Sequence, residues 1–495
     1  MTDVDIKPAR THPLRTHVAP KLVHKSRKRV LGRSDIVFFI FVAMVSAAGI
    51  PVYAAIGVSV VGWWILGTLL FLLPSSLIVV ELSTAYPYQG GIYDWVHRGF
   101  GRRWAARTTF WYWVNMALWM PSAYLVLTGS VVALGWSTAT LFQQSLVCIA
   151  LTWITVGLGF TKLKIGDLFT NISAILVAFL LVVTIIGAFV LVLHRGTSAN
   201  HFSVHSMLPN FGTAKVYLPV IVFGFLGMEL ISSLAGEIKH PKKDMLWAVP
   251  VAGVTLTVLQ LLATVALLLV IPLKVLGLTS GMVQVFRDIF GSVSFIIPWI
   301  LSIPLLYTIY IGILPWALGA NRSALEAARE GELPKIFMKE SKSGTPAGGM
   351  VMTGLVATAV LLFAGVFLKT ENDLYYALFA SSSAVFILPY LLMYPAIFRL
   401  RRLEPVLDQP FRVPGGRIGL WVCVVLSTTA VASSLVLFLW TPGAAVDWSY
   451  TGPLIAIFSS AVVSGEIVIA WCLRKGASAS AASLEAAAGV EPEVS

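Results

Sequence analysis

Apolar residues run along this chain in about twelve stretches, each close to the roughly 20 residues that carry an α-helix across a hydrocarbon core. They fall near residues 35–55, 60–84, 107–134, 140–160, 168–194, 216–238, 246–271, 294–319, 348–368, 374–398, 418–440 and 450–473. Short polar segments separate them, and none is long enough to divide the chain into soluble domains. The pattern predicts an all-α integral membrane protein: a polar tail at 1–34, one bundle of spans at 35–475, and an unstructured tail rich in Ala, Ser and Glu at 476–495.

Two spans break the pattern in matching ways. Span 1 carries Ser46-Ala47-Ala48-Gly49-Ile50-Pro51 near its middle, and span 6 carries Gly224 and Gly227, followed by Glu229. Pro51 lacks an amide donor and displaces the helix before it, so carbonyls around Ala47 and Ala48 should lack helical partners. Glycine weakens a helix by roughly 1 kcal/mol relative to alanine, and an ionisable group at mid-membrane costs about 2.5 kcal/mol or more. Irregular backbone at that depth persists only where it lines a cavity or is buried in protein. Spans 1 and 6 lie five apart, an odd number, so spans 1–5 (35–194) and 6–10 (216–398) enter the membrane from opposite sides. That is a 5+5 inverted repeat, with spans 11 and 12 (418–473) added. Paired interruptions of this kind point to the midplane site of a secondary transporter. Either one alone is as readily explained by close packing of membrane helices, which small residues permit.

Composition agrees: 57% of the 495 residues are hydrophobic, 12% are charged, and the mean hydropathy is +0.85. The net charge of +12 raises nucleic acid as a partner, but the placement of the basic residues argues against it. With the N-terminus cytoplasmic, 30 of the 35 Lys and Arg residues fall on that side, leaving Arg195, Lys215, Lys274, Arg287 and Lys369 outside. This positive-inside bias predicts a multi-pass protein of the cell membrane with both termini in the cytoplasm. Polar and basic residues occupy the chain before span 1, so no cleavable signal is expected, and Lys25, Arg27, Lys28 and Arg29 suit anionic lipid. Cys148, Cys423 and Cys472 lie in apolar spans and read as packing residues. All eight histidines fall in tails, loops or span ends, so no metal site, no cofactor and no intramembrane enzyme is expected. An ion channel would need acidic rings or a repeated filter loop, which the chain lacks.

The loop after span 2, Tyr86 to Trp104, turns at Pro87 and Gly90-Gly91, then sets Ile92, Trp95, Val96 and Phe100 on one apolar face, as if to lie in the membrane interface. Here the chain resembles the amino acid, polyamine and organocation (APC) permeases, whose signature after span 2 is similar to Pro-x-x-Gly-Gly-x-Tyr-x-Trp-Val. Further matches are Ala235-Gly236-Glu237 with Pro241, Asn321-Arg322, Gly331-Glu332-Leu333-Pro334 and the run from Pro410 to Gly416. The resemblance covers about residues 31–475. Met228-Glu229, Ile271-Pro272 and the stretch from Gly281 to Phe286 look most like the glutamate/γ-aminobutyrate antiporter branch. Two departures stand out. The first break has a single glycine, Gly49, and Gly312 lies one turn before Trp316 where that branch has an acidic residue. The substrate of that branch is therefore not carried over.

The resemblance implies a LeuT-like fold in which amides at Ala47, Ala48, Gly49 and Ile50 hold a substrate carboxylate. Carbonyls at Phe223, Gly224 and Phe225, beside Gly227, would hold its ammonium group, in keeping with the polarity of half-helix dipoles. Phe225, Tyr310, Trp316 and Tyr390 are the aromatic candidates for the pocket wall. Glu229 would contact an amino group of the substrate, bind a coupling proton, or simply brace span 6. Glu466, near Arg474, reads as structural. Some proton-coupled relatives carry a lysine in span 5, absent from Asn171 to Ala174. The reading is a secondary active transporter of amino acids or related amines working by alternating access, with exchange favoured over H+- or Na+-coupled symport.

Overall fold

A computed structural model of the protein describes residues 31–86, 91–161, 166–214, 217–403, 411–440 and 448–488. Among them the chain is helical, save for loops and a single parallel bridge between Leu31 and Ile238. Ten helices are long and apolar enough to cross a membrane. They are span 2 (Val60–Ala85), span 3 (Arg102–Leu134), span 4 (Leu141–Leu158), span 5 (Gly166–Arg195) and span 7 (Pro241–Val270). The others are span 8 (Ile296–Arg329), span 9 (Ala347–Phe367), span 10 (Glu371–Leu403), span 11 (Gly416–Leu439) and span 12 (Trp448–Ala488). The two remaining expected spans, 1 and 6, qualify in no single piece because each is broken.

Span 10 is the central post: 83% of its apolar stretch is buried within the protein, against 28% for spans 4, 5 and 12 at the rim. Its small residues Ala377, Ala380, Ser381, Ser382, Ser383 and Ala384 have no exposed surface and let neighbouring backbones approach closely. The serine hydroxyls cost little there, since Ser382 and Ser383 both donate to the Phe379 carbonyl, at 2.8 and 2.7 Å. At the rim, side chains such as Ile186, Leu193 and Ile303 are exposed, as a surface facing lipid requires.

The loops sort into two ends. At one, the Lys239 amide donates to the Leu31 carbonyl at 2.9 Å, and Arg33 pairs with Asp244 at 2.9 Å. There Arg401 grips buried Glu81 through two bonds of 2.7 Å, and Glu81 also accepts the Val413 amide at 2.7 Å. Glu332, also at this end, accepts from Tyr93 at 3.2 Å and from Arg102 at 3.3 Å. At the other end the Asn200 amide group donates to the carbonyls of Leu268 and Ile271, and Asn372 accepts from the Leu278 amide at 3.3 Å. Successive connections thus alternate between ends, as a multi-pass membrane protein demands.

Several expectations are corrected. The helix Ile92–Phe100 packs inward: Trp95 and Val96 are fully buried, and Gly99 lets the helix close on Ala396. It is a protein-protein contact, not an interfacial raft, because a glycine on the contact face permits the approach. Glu466 pairs with Arg107, at 2.5 and 2.6 Å, rather than with Arg474. Span 12 continues as helix to Ala488, where an unstructured tail was expected, because an alanine-rich segment without proline readily extends an existing helix. Residues 1–30, Pro87 to Gly90 and Pro410 lie outside the described residues.

Removing one partner of a buried ion pair costs about 3–5 kcal/mol, whereas an exposed pair is worth roughly 0–1 kcal/mol. Arg401→Met should therefore lower the thermal unfolding midpoint of the purified protein clearly more than Arg329→Met, whose partners Glu326 and Glu340 are exposed. Burial raises the Glu332 carboxyl to about 7, against the pull of Arg102 and Tyr93. Between the ordinary carboxyl range and that value the folded chain holds a proton that the unfolded chain releases, so stability falls as pH rises through this window. Glu332→Gln should flatten that slope, measured as the change in unfolding midpoint between about pH 5 and about pH 8.

Candidate functional site

Span 1 is α-helical from Arg33 to Met44, extended at Val45 and Ser46, a 3-10 turn over Ala47–Gly49, and α-helical again over Ile50–Ala54. The break precedes the position that Pro51 suggests. Pro51 sits in the first turn of the second half, where a missing amide is harmless, so it restarts the helix instead of interrupting it. On the turn itself the freed groups are amides: the Ala47 carbonyl accepts the Ile50 amide, while the amides of Ala47 and Ala48 begin the turn with no backbone acceptor among the described residues; before it, the freed Met44 carbonyl accepts from Gln260 at 3.4 Å.

Span 6 runs as α-helix over Leu218–Gly224, loses its winding at Phe225 to Gly227, and resumes as a 3-10 helix over Met228–Glu237. Gly227 has φ of +111°, a conformation that side-chain-bearing residues rarely adopt. A 3-10 run of ten residues is long for that geometry, which marks hinges and strained segments. The Phe223 carbonyl accepts the Leu226 amide at 3.0 Å. Of the three carbonyls expected for an ammonium group, those of Gly224 and Phe225 have no backbone partner among the described residues.

Tyr53 bridges the two breaks. A Cβ on Gly224 would lie 2.6 Å from its hydroxyl and one on Gly49 would lie 3.4 Å from it, so Gly224 is needed for this approach. Beside it a cavity of about 130 Å³ opens between the breaks. Since one water needs about 10–15 Å³ on this measure, the space suits a molecule of roughly ten non-hydrogen atoms. Ser46, Ala47, Ala48, Gly49, Phe223 and Gly224 contribute from the broken spans, and Asn115, Trp119, Ser173, Thr308 and Trp316 from spans 3, 5 and 8. Tyr375, Phe379 and Phe386 close it from span 10. None of its lining side chains is charged. Polar recognition falls to backbone dipoles, aromatic faces and Asn115, whose buried side-chain oxygen has no hydrogen-bond partner among the described residues.

Six of the expected residues, Ala47, Ala48, Gly49, Phe223, Gly224 and Trp316, thus meet at one cavity. The other six do not line it. Ile50 is fully buried behind the turn. The Phe225 ring points to span 2, edge-on to Trp64 at 4.8 Å and 6.4 Å from Phe71, because Gly67 leaves room for it. Tyr310 stacks on Tyr124 at 6.0 Å and accepts from Thr155 at 3.3 Å. Gly227, Glu229 and Tyr390 form a separate buried cluster. The Gly227 amide donates to Glu229 at 3.0 Å and to the Tyr390 hydroxyl at 3.1 Å, and the Tyr112 hydroxyl donates to Glu229 at 3.4 Å. Trp316 stacks on Tyr112 at 6.4 Å and meets Phe386 at 5.9 Å, while Phe386 meets Tyr390 at 5.4 Å. These rings form a floor between the cavity and the Glu229 carboxylate.

Sequence reasoning missed Tyr53, Asn115, Trp119, Tyr375, Phe379 and Phe386. Asn115 was within reach, as an isolated amide in an apolar span. The aromatic residues carried no signal, because aromatics make up 12% of the chain and most serve packing.

The sequence model of a family described as amino acid permease matches residues 31–465. A probable agmatine/putrescine antiporter of Lactococcus lactis is 30% identical over 406 residues, covering 81% of this chain and 86% of that protein. An uncharacterised transporter of Legionella pneumophila is 28% identical, covering 79% and 85%. A glutamate/gamma-aminobutyrate antiporter of Lactococcus lactis is 26% identical, covering 74% and 75%.

Gly224→Ala should abolish ligand-induced thermal stabilisation across a panel of amino acids and amines, since its methyl group collides with the Tyr53 hydroxyl at 2.6 Å. Gly365→Ala, outside the cavity and with nothing within 4 Å of its added Cβ, should retain it.

Proposed function

This chain belongs to the amino acid permease family, and from that membership we propose that it exchanges amino acids or related amines across the cell membrane by alternating access. The observation that carries the reading is the uncharged cavity held between two broken spans, with amides on one side and carbonyls on the other that have no backbone partner among the described residues. An ammonium group is served there by the carbonyl of Gly224, the side-chain oxygen of Asn115, and the faces of Tyr53 and Trp316. A carboxylate, where the substrate has one, is served by the amides of Ala47 and Ala48. Relatives named as antiporters of amines and of amino acids support both halves of the substrate class. They also favour exchange over net symport.

In this reading the two halves of the chain form a 5+5 inverted repeat, and both termini lie in the cytoplasm. Spans 1, 2, 6 and 7 rock against spans 3, 4, 5 and 8, and the site faces one side at a time. The long 3-10 segment of span 6 and the extended pair Val45-Ser46 are the places where backbone torsions change least expensively. Glu229 acts from beneath the aromatic floor. Its hydrogen bonds tie the backbone of the span 6 break to Tyr112 and Tyr390, so its protonation state sets how firmly that break is held.

Proteoliposomes preloaded with single unlabelled amino acids or amines, then offered a labelled panel with and without H+ and Na+ gradients, test this directly. Uptake should require a preloaded counter-substrate and persist without either gradient; gradient-driven uptake into empty vesicles would replace exchange with symport. Glu229→Gln should shift or flatten the pH dependence of uptake, and unchanged uptake at every pH would remove Glu229 from the mechanism.

A further inference from the structure

A second cavity lies at the end of the molecule opposite the Arg33–Asp244 and Arg401–Glu81 pairs. It measures about 390 Å³ and is bounded by Ala55, Tyr217, the loop residues Leu273, Leu276 and Leu278, and span 10 at Asn372, Asp373 and Tyr376. Its polar groups are one amide, two phenols and one carboxylate. Tyr217 and Tyr376 meet edge to face, with ring centroids 5.1 Å apart and planes at 76°, so they form an aromatic corner beside Asp373. Asp373 is anchored: Thr370 donates to it at 2.5 Å and receives its amide at 3.1 Å. No lysine or arginine pairs with Asp373 among the described residues.

We propose that this outer cavity is a second binding site, for protonated primary amines or guanidinium groups, built from Asp373 and the rings of Tyr217 and Tyr376. A carboxylate at the rim supplies attraction in water, and aromatic faces supply cation–π contact that a neutral or anionic solute does not gain. The central cavity has no side-chain charge with which to select cations, whereas this one does. The two are joined by rings. Tyr376 lies 6.4 Å from Phe379, Tyr375 stacks on Phe379 at 5.9 Å, and Phe379, Tyr375 and Tyr53 all line the central cavity. An organic cation held outside therefore stands one aromatic partition away from the inner site. The site deepens the exchange reading, on which its role in transport rests, by naming substrates with an organic cation end as the class the outer mouth gathers.

The test pairs uptake of labelled putrescine into proteoliposomes with calorimetric binding of putrescine to the purified full chain. Asp373→Asn keeps an oxygen to accept from Thr370 and removes only the charge. It should raise the half-saturating putrescine concentration about tenfold while moving that of a neutral zwitterion such as leucine less than about twofold, and Asp373→Glu should restore it. Equal shifts for both solutes, or none for putrescine, would overturn the site. Normal amine exchange with an indifferent Asp373→Asn would discard the outer site and leave the carrier reading intact. Putrescine binding that depends on Asp373 in a protein that transports nothing would keep the site and discard the carrier reading.

Discussion

A peptide group that cannot pair with its own helix has nowhere to pair in hydrocarbon, and the arrangement of this protein follows from that restriction. Ten spans meet it by remaining whole helices. Spans 1 and 6 do not, and their loose amides and carbonyls are tolerable only because spans 3, 5, 8 and 10 wall them off from lipid. That demand accounts for the enclosure of span 10. Its run of alanines and serines lets it stand close behind the breaks; the Ser382 and Ser383 hydroxyls are satisfied on their own helix, and that of Ser381 reaches the Leu454 carbonyl of span 12.

The interior so enclosed is partitioned by aromatic rings instead of charges. Below the cavity, Trp316, Phe386 and Tyr112 separate it from Glu229; above it, Tyr53, Tyr375 and Phe379 separate it from the outer cavity. Rings suit this role because they fill space densely yet present faces that tolerate a passing cation. Charged contacts lie instead at the end that holds Leu31 and Lys239, where Arg33, Arg102 and Arg401 join segments that are distant in sequence.

Span 6 shows how local chemistry and tertiary packing divide the work. Gly227 is needed for its positive φ, and Gly224 for the approach of Tyr53. Span 2 adds a π-helical turn at Thr68–Leu72, just beyond Gly67 where the Phe225 ring lies. Wide turns of this kind recur at functional sites, and here one lies alongside the broken segment of span 6.

The spans, the two interruptions, the family and the alternation of loops were all legible in the sequence, because hydropathy, glycine, proline and lysine act on their immediate surroundings. The residues of the broken turns were legible for the same reason: Ala47, Ala48, Gly49 and Gly224 reach the cavity because the breaks themselves do. Which ring faces it was not. Phe223 and Phe225 lie two positions apart with equal hydropathy, yet one enters the cavity and the other packs on Trp64 of a different span. Glu229 was evident as an intramembrane carboxyl, but its place beneath a floor of rings depends on Tyr112, Trp316 and Phe386, which come from three other spans. Facing and partnership are settled by contacts between residues hundreds of positions apart, and a linear pattern carries the cost of a broken helix without saying which neighbours will cover it.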